Sequence, residues 1–340
     1  MQHNEKNTIK MSPISPAASL NRDFDSLDNV SSSSYDTGIY DAARAELTTI
    51  RDLLRFTVSQ FTEQKLFFGH GSATAYDEAV YLILHSLHLP LDRLEPFLDA
   101  RLTSAERDAV LGIVERRVRE RIPAAYLTQE AWLGDYKFYV DKRTIVPRSF
   151  IAELLLADLS PWVESPRAVG RVLDLCTGSG CLAILAALAF PHATVDAVDA
   201  SLDALEVAKR NIRDYGLEDR INVVASDMFE SLGAKHYDVI ITNPPYVSSE
   251  SMAKLPDEYR REPEMALASG EDGLDHVRTI IEQATKHLYA NGVLVVEVGF
   301  NREGVEQAFP EMPFTWAETS IGDDVVFVLE RETIVAAQKR

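Results

Sequence analysis

The stretch that decides the fold is residues 171–180, which have the sequence RVLDLCTGSG. Its first half is apolar apart from Arg171 and Asp174, and its glycines precede a second apolar run that begins at Cys181. This pattern predicts a buried strand, a glycine-rich turn and a helix. Such a turn lets a ligand approach the backbone and leaves the first N–H groups of the helix free to bind it. A tightly packed turn without a ligand, or a dinucleotide site, would fit the same residues.

The rest of the C-terminal half continues this alternation of strand and helix. Further apolar runs of strand length occur at residues 194–198, 221–225, 237–242 and 292–298. Strands that alternate with helices predict a parallel sheet with both faces covered. The last two runs, residues 314–319 and 325–329, are too close in sequence for a helical crossover and should pair antiparallel. The predicted fold class is α/β, a Rossmann-like sheet with an antiparallel terminal hairpin, preceded by a small helical domain.

The chain before this sheet has the periodicity of helices. Apolar residues recur at three- and four-residue steps over residues 40–66, and a second apolar stripe covers residues 74–89. Thr103 and Glu106 have the spacing of a capping box that begins a third helix, and Pro123 limits its extent. We expect the charged side chains of that helix to face solvent, namely those of Arg116, Arg117, Arg119 and Glu120.

Composition and charge limit the possible functions. The chain has 340 residues, 46% hydrophobic and 26% charged, which is typical of a soluble protein with two folded domains. Its 34 Lys and Arg against 53 Asp and Glu give a net charge of −19. Such a charge opposes binding to a phosphate backbone and favours a basic partner, so no nucleic-acid substrate is expected.

The sequence has no feature of a secreted or membrane protein. Residues 1–10 lack an apolar h-region, and the longest apolar stretch, residues 172–190, is interrupted by Asp174 and glycines. The two cysteines, Cys176 and Cys181, favour reduced thiols over a disulfide framework. We therefore expect a cytoplasmic protein with no membrane span, and we expect no metal site.

Acidic residues follow the second and third predicted strands. Asp199 lies 25 residues after Asp174, a spacing that suits a carboxylate accepting the hydroxyls of a ribose, although it could instead cap the next helix. At the next strand end, Asp227 could accept an adenine amino group while Met228 offers an apolar face, and a solvated loop residue is the alternative. Ligands of open parallel sheets bind at the carboxyl ends of strands, which favours one shared nucleoside site.

The fourth predicted strand runs directly into Asn243, Pro244, Pro245 and Tyr246. Pro245 restricts Pro244 to extended geometry, which can hold the Pro244 carbonyl beside the Asn243 side-chain carbonyl as two fixed acceptors. Two acceptors suit one planar –NH2 group, which the ring of Tyr246 could cover. A rigid turn with a core aromatic residue would also explain these four residues.

Together, these strand-end motifs resemble the class I methyltransferases that use S-adenosyl-L-methionine (AdoMet) and modify planar amino groups. The resemblance implies that AdoMet is the cofactor and that its site includes Asp174, Cys176, Thr177, Gly178, Ser179, Gly180, Asp199, Asp227, Met228 and Asn243. It also implies that the catalytic residues are Asn243, Pro244, Pro245 and Tyr246. The same tetrapeptide serves adenine methyltransferases of DNA and glutamine methyltransferases of proteins. A binding protein or ribosome assembly factor without catalytic activity is a further alternative.

Motifs outside the predicted sheet indicate which group of methyltransferases the chain resembles. Residues 68–71 (FGHG), 77–80 (DEAV), 121–127 (RIPAAYL) and 146–149 (VPRS) are similar to the N(5)-glutamine methyltransferases of ribosomal protein L three of the large subunit. That protein is the partner the resemblance implies. We call Pro147 and Arg148 the Pro-Arg corner. In the related release-factor glutamine methyltransferases, this corner usually continues with Pro, an acidic residue, Thr and Glu, whereas Ser149 follows here. Glu264 lies in a segment resembling the family's substrate loop, with a solvent-facing charge as the alternative.

Five segments are predicted. Alternating apolar and polar residues over 136–146, on both sides of Asp141 and Lys142, predict a β-hairpin between the two domains. The limits are a disordered extension at 1–39, a helical substrate-recognition domain at 40–125, a hairpin linker at 126–146, a methyltransferase domain at 147–332 and a tail at 333–340.

Overall fold

The computed structural model describes residues 38–339, which form two compact units. Within that range, the first unit comprises residues 38–129 together with Pro256–Arg261. The second unit comprises Glu130–Leu255 and residues 262–339. The extension expected at residues 1–39 lies outside the described residues up to residue 37. The domain limits drawn from the sequence stay a prediction.

The first unit is helical. Its helices within the described range are α1 (Gly38–Glu46), α2 (Ile50–Glu63), α3 (Ala75–Ser86), α4 (Ser104–Glu120) and α5 (Ala124–Thr128), with 3₁₀ turns at Glu95–Phe97 and Tyr259–Arg261. The capping box predicted for α4 is confirmed, since Thr103 and Glu106 cap each other's backbone. The continuous helix expected over residues 40–66 is wrong. A second capping box, formed by Thr49 and Asp52, begins a new helix at Ile50.

Arg117 in α4 was expected to face solvent, and this prediction is wrong. Its side chain is 1% exposed, and its Nε donates to Glu78 Oε1 at 2.6 Å. Its Nη1 donates to Glu258 Oε1 at 3.2 Å, and its Nη2 donates to the carbonyl oxygen of Phe67 at 2.9 Å. Burying a guanidinium removes its charge from water, which is unfavourable. Here two carboxylates and a carbonyl accept from its N–H groups and offset that desolvation. The cluster holds Pro256–Arg261 within the helical unit.

The second unit begins with a two-stranded hairpin, β1 (Glu130–Leu133) and β2 (Tyr136–Tyr139). Its turn is at Gly134 and Asp135, so the turn predicted at Asp141 and Lys142 is wrong. Asp141 is engaged elsewhere, since its carboxylate accepts from Arg143 Nη2 at 2.6 Å. That hydrogen bond lowers the pKa of Asp141 to about 2.

A seven-stranded sheet forms the centre of this unit. Its strands are β3 (Arg171–Leu175), β4 (Thr194–Asp199), β5 (Ile221–Ala225), β6 (Tyr237–Thr242), β7 (Leu288–Glu297), β8 (Thr315–Trp316) and β9 (Val326–Glu330). They lie in the order β5-β4-β3-β6-β7-β9-β8. The first five strands in this order are parallel, and β9 is antiparallel to both of its neighbours. The predicted parallel sheet with an antiparallel ending is confirmed.

The helices of the second unit are α6 (Ile151–Leu156), α7 (Cys181–Ala189), α8 (Leu202–Asp214), α9 (Ser249–Lys254), α10 (Asp275–His287), α11 (Arg302–Ala308) and α12 (Arg331–Ala337). Helix α7 is apolar around its whole circumference, and its residues from Cys181 to Ala187 are buried. The core contains completely buried side chains from three adjacent strands, such as Leu173, Ile240 and Leu294. None of the helices between residues 38 and 339 is both long and apolar enough to cross a membrane.

The buried cluster of the helical unit leads to a stability prediction. Replacing Arg117 with Ala leaves the buried carboxylate of Glu78 without its cation and leaves Glu258 with Arg121 alone, which should lower the free energy of unfolding by about 3–5 kcal/mol. Arg116→Ala is the matched control, because this neighbouring side chain is 54% exposed and pairs with the exposed Glu120 at 3.5 Å. The control should cost about 0.5 kcal/mol or less. Chemical denaturation followed by circular dichroism measures both; equal costs would contradict the account of the cluster.

Candidate active site

The candidate site lies at the carboxyl edge of the sheet, where the strand order changes direction. Strands β4 and β5 extend from one side of β3, and β6 pairs with its other side. Ligands of open parallel sheets bind at such a point. The glycine-rich turn leaves β3 here: the N–H of Thr177 donates to Val198 O at 2.9 Å, and the N–H of Gly180 donates to Thr177 O at 2.9 Å. Gly180 is the N-cap of α7 and has no side chain to occupy the first N–H groups of that helix.

Asp174 is completely buried at the end of β3. Its Oδ2 accepts a hydrogen bond from Thr177 Oγ1 at 2.5 Å, while its Oδ1 has no hydrogen-bond partner among the described residues. Burial raises the pKa of this carboxyl to about 7, and the hydrogen bond from Thr177 opposes that shift. A buried acceptor without a donor is costly, and a cationic or N–H donor on a bound ligand would remove the cost. Asp174 therefore fits a ligand-binding role.

Asp199, at the end of β4, is joined directly to the turn. Its Oδ2 accepts from the Gly178 N–H at 2.9 Å, and its Oδ1 accepts from the Ser201 N–H at 2.9 Å. The N-cap of α8 is Ser201, whose side chain accepts from Ala204, so Asp199 is not the helix cap. Burial raises the pKa of Asp199. A carboxylate has about four lone-pair directions, so these two bonds leave capacity to accept ligand hydroxyls.

The end of β5 lies beside the same turn. Cys176 Sγ is 3.9 Å from Met228 Sδ, which places an apolar surface of two sulfur atoms next to the glycines. Burial raises the pKa of the Cys176 thiol, so this group stays protonated. Asp227 is exposed. Burial lowers the pKa of the neighbouring His276, and the negative charge of Asp227 opposes that shift. The structure thus brings the strand-end residues predicted for a nucleoside site to one edge.

The tetrapeptide Asn243-Pro244-Pro245-Tyr246 follows β6 at this edge. The strand pairs with β3 so that Thr242 lies beside Leu175, the last residue before the glycine-rich turn. Both prolines are buried, and Asn243 is half-buried. The predicted acceptors therefore begin next to the turn and are held by a rigid backbone.

Two contacts brace the end of the tetrapeptide. The N–H of Val247 donates to Leu267 O at 2.8 Å, and the N–H of Ser269 donates to Val247 O at 2.9 Å, which joins the following loop back to the tetrapeptide. On the other side, a Cβ on Gly299 would lie only 2.7 Å from Cε2 of Tyr246. Gly299 also has a φ of +56°, so this position requires a glycine for two reasons. The Tyr246 ring is seated against that backbone.

The Pro-Arg corner is held by two buried glutamates. Arg148 forms a bidentate pair with Glu262, with Nη1–Oε1 and Nη2–Oε2 distances of 2.6 and 2.7 Å. Ser149 Oγ donates to Glu297 Oε2 at 2.6 Å, and the Phe150 N–H donates to the same oxygen at 2.8 Å. Glu297 ends β7, and its burial raises its pKa to about 7. The corner is therefore fixed to the sheet beside the tetrapeptide strand.

Glu264, in the loop that follows the tetrapeptide, begins a 3₁₀ turn and has an exposed side chain. The sequence motifs did not predict the residues that support the site, namely Asn211, Glu262, Glu297 and Gly299. The acidic residue in the apolar run of β7 was a usable signal, since a charged residue in a buried strand needs partners. The roles of Asn211, Glu262 and Gly299 depend on partners distant in sequence, which no local pattern indicates.

The sheet order, the turn after its first strand and the amide-and-proline motif after its fourth define a class I methyltransferase. Residues 151–258 match the family described as methyltransferase small domain. This match covers the strands that carry the turn, the acidic strand ends and the tetrapeptide.

Relatives that match over nearly their whole length identify the methyltransferase family to which the chain belongs. The chain is 59% identical over 300 residues to the ribosomal protein uL3 glutamine methyltransferase of Neisseria gonorrhoeae, covering 88% of this chain and 100% of the relative. Proteins with the same description from Burkholderia pseudomallei and Bordetella pertussis are 60% and 57% identical over 295 and 291 residues. These matches cover 85% and 86% of this chain and 96% and 98% of the relatives. The chain belongs to the ribosomal protein uL3 glutamine methyltransferase family, uL3 being the protein called L three above.

The buried Glu297 predicts a pH-dependent stability. Its pKa of about 7 lies above the ordinary value of 4.5, so the stability present below about pH 4.5 is lost as the pH rises toward 7. Glu297→Gln keeps an acceptor for Ser149 and Phe150 but cannot ionise. Between pH 5 and pH 8, the stability of this variant relative to the wild type should rise by about 2 kcal/mol.

Urea denaturation at the two pH values measures this change. Glu332→Gln is the control, since it removes an exposed carboxylate. If the two variants show the same pH dependence, Glu297 is not the group responsible.

Proposed function

We propose that this chain transfers a methyl group from AdoMet to the side-chain amide nitrogen of a glutamine in ribosomal protein uL3. The observation that carries the proposal is the position of Asn243 and Pro244, two acceptors on a rigid backbone beside the glycine-rich turn. The relatives described as uL3 glutamine methyltransferases support the choice of substrate.

The residues of the carboxyl edge fit the cofactor. The unpartnered Oδ1 of Asp174 suits a cationic amino group, and the remaining capacity of Asp199 suits the two hydroxyls of a ribose. Asp227 would accept from the adenine amino group, and Met228 would cover the ring. Cys176, Thr177, Gly178, Ser179 and Gly180 would form the wall next to the cofactor. When bound, AdoMet supplies a methyl group on a positively charged sulfur.

The tetrapeptide would activate the amide by orienting it. A carboxamide nitrogen is a poor nucleophile because its lone pair is delocalised into the carbonyl group. By accepting both N–H bonds, Asn243 and Pro244 hold the nitrogen in a near-attack position and support partial loss of planarity. Their carbonyl dipoles also stabilise the positive charge that develops on the nitrogen more than they stabilise the neutral ground state.

The remaining groups of the tetrapeptide would shape this site. Tyr246, seated against Gly299, presents a ring that confines the planar amide, and Pro245 keeps the Pro244 carbonyl in place. The methylated nitrogen is strongly acidic and can release its proton to water, so the reaction requires no dedicated base. Asn243 thus has two roles, since it also lies at the wall of the cofactor site.

The net charge and the sequence of the Pro-Arg corner favour uL3 as the substrate over DNA and release factor. The net charge of −19 suits a basic ribosomal protein and opposes a DNA substrate. The corner residue Ser149 departs from the release-factor branch, and its hydroxyl is used to bind Glu297. We assign recognition of the protein substrate to the helical unit and catalysis to the α/β unit. A ribosomal substrate also agrees with the cytoplasmic location expected from two unpaired cysteines.

Asn243→Ala tests the mechanism. The change deletes one of two acceptors aimed at the reacting nitrogen, so methyl transfer to uL3 should fall by about 10²-fold or more while the fold is retained. Transfer of radioactive methyl groups measures the rate, and circular dichroism checks folding. Asn222→Ala is the matched control, because this asparagine donates to Asp196 at 3.1 Å, away from the tetrapeptide. A folded Asn243→Ala enzyme that turns over at nearly the wild-type rate would be incompatible with amide clamping.

A further inference from the structure

Asn211, in helix α8, is a buried amide that joins three parts of the α/β unit. Its side chain is almost completely buried. Its Oδ1 accepts from the Tyr139 N–H in β2 at 2.8 Å, and its Nδ2 donates to the Tyr139 carbonyl oxygen at 3.0 Å. The same Nδ2 donates to the carbonyl oxygen of Ser179, in the glycine-rich turn, at 2.8 Å. One side chain therefore connects a helix, the hairpin and the turn.

The paired bonds with Tyr139 determine which way the amide points. Exchanging the amide oxygen and nitrogen would place two donors together and two acceptors together, which would break both bonds. With this orientation fixed, the second N–H of Asn211 is directed at Ser179 O. The hairpin thus orients an amide that in turn holds the glycine-rich turn.

The peptide group between Ser179 and Gly180 is hydrogen-bonded through both its carbonyl oxygen and its N–H. Its carbonyl oxygen accepts from Asn211, and its N–H donates to Thr177 O at 2.9 Å. Helix α8 also approaches this peptide through Ala208, because a Cβ on Gly180 would lie 3.1 Å from the Ala208 Cβ. With its carbonyl and N–H both engaged, this peptide cannot rotate without losing a buried hydrogen bond.

We propose that Asn211 is a positioning residue for AdoMet, acting through the glycine-rich turn. This inference rests on the proposed function, since it assumes that the turn is a wall of the cofactor site. Asn211 holds the turn in its binding conformation before the cofactor arrives, so less ordering is required on binding. The hairpin contributes to cofactor affinity through the backbone of Tyr139, which orients the Asn211 amide.

The test compares two variants of Asn211 with a control at the C-terminal cap of the same helix. Asn211→Ala deletes all three bonds, and Asn211→Asp keeps the acceptor for the Tyr139 N–H but loses the donors to the carbonyl oxygens of Tyr139 and Ser179. The control is Tyr215→Phe, which removes a bond of 3.0 Å from the end of α8 to the hairpin carbonyl of Lys137 without touching the turn. Calorimetric titration of the full chain with AdoMet gives the dissociation constant, and methylation of uL3 at saturating AdoMet gives kcat.

Both Asn211 variants should raise the dissociation constant for AdoMet by about tenfold or more, with kcat within about threefold of the wild type. Tyr215→Phe should leave the dissociation constant within about twofold. If Asn211→Asp does not fold, Asn211→Ala, which buries no new charge, carries the test. The inference is overturned if a folded Asn211 variant binds AdoMet as tightly as the wild type, or if Tyr215→Phe weakens binding equally. Failure of the wild type itself to bind AdoMet would instead overturn the proposed function.

Discussion

The structure of the α/β unit depends on the way the turn after β3 is held. Buried parallel strands place their carboxyl ends at one edge, and the chain must leave that edge without burying unsatisfied backbone groups. Here Val198 O, Asp199 Oδ2 and Asn211 Nδ2 engage three successive parts of the turn. Because these partners come from β4 and α8, the turn is fixed both to the sheet and to a helix of the same unit. A ligand site formed on it is therefore preorganised.

The site also requires that the tetrapeptide Asn243-Pro244-Pro245-Tyr246 keep its position relative to this turn. Pairing of β6 with β3 sets where the tetrapeptide begins, and the loop from Leu267 to Ser269 holds its end. Gly299 provides the surface against which Tyr246 rests. Glu297 ends the adjacent strand and fixes the Pro-Arg corner through Ser149 and Phe150. The residues that hold the tetrapeptide and its surroundings therefore come from four separate segments of the chain.

Much of the fold was predictable because buried parallel strands are continuous apolar runs. The runs predicted at residues 171–175, 221–225 and 237–242 coincide with β3, β5 and β6. Local patterns were insufficient where a distant partner decides the outcome. Arg117 stands in a charged run of sequence, residues 115–117, yet it lies on the buried face of α4 with Val110 and Val114. Its charge can be buried there because Glu78 and Glu258, 39 and 141 residues away, accept from it. The hairpin was misplaced because alternation extends through Tyr139, while the turn residues Gly134 and Asp135 lie earlier.

We propose that rigid acceptors at this edge direct methyl transfer to a protein glutamine. The most direct measurement incubates the purified chain with radioactive AdoMet and, in parallel and at matched salt, with purified uL3, release factor and DNA. We expect strong labelling of uL3, located by mass spectrometry on a glutamine side-chain amide, with much weaker labelling of release factor and DNA. Preferred labelling of release factor or DNA, or a label on uL3 at a residue other than glutamine, would contradict it.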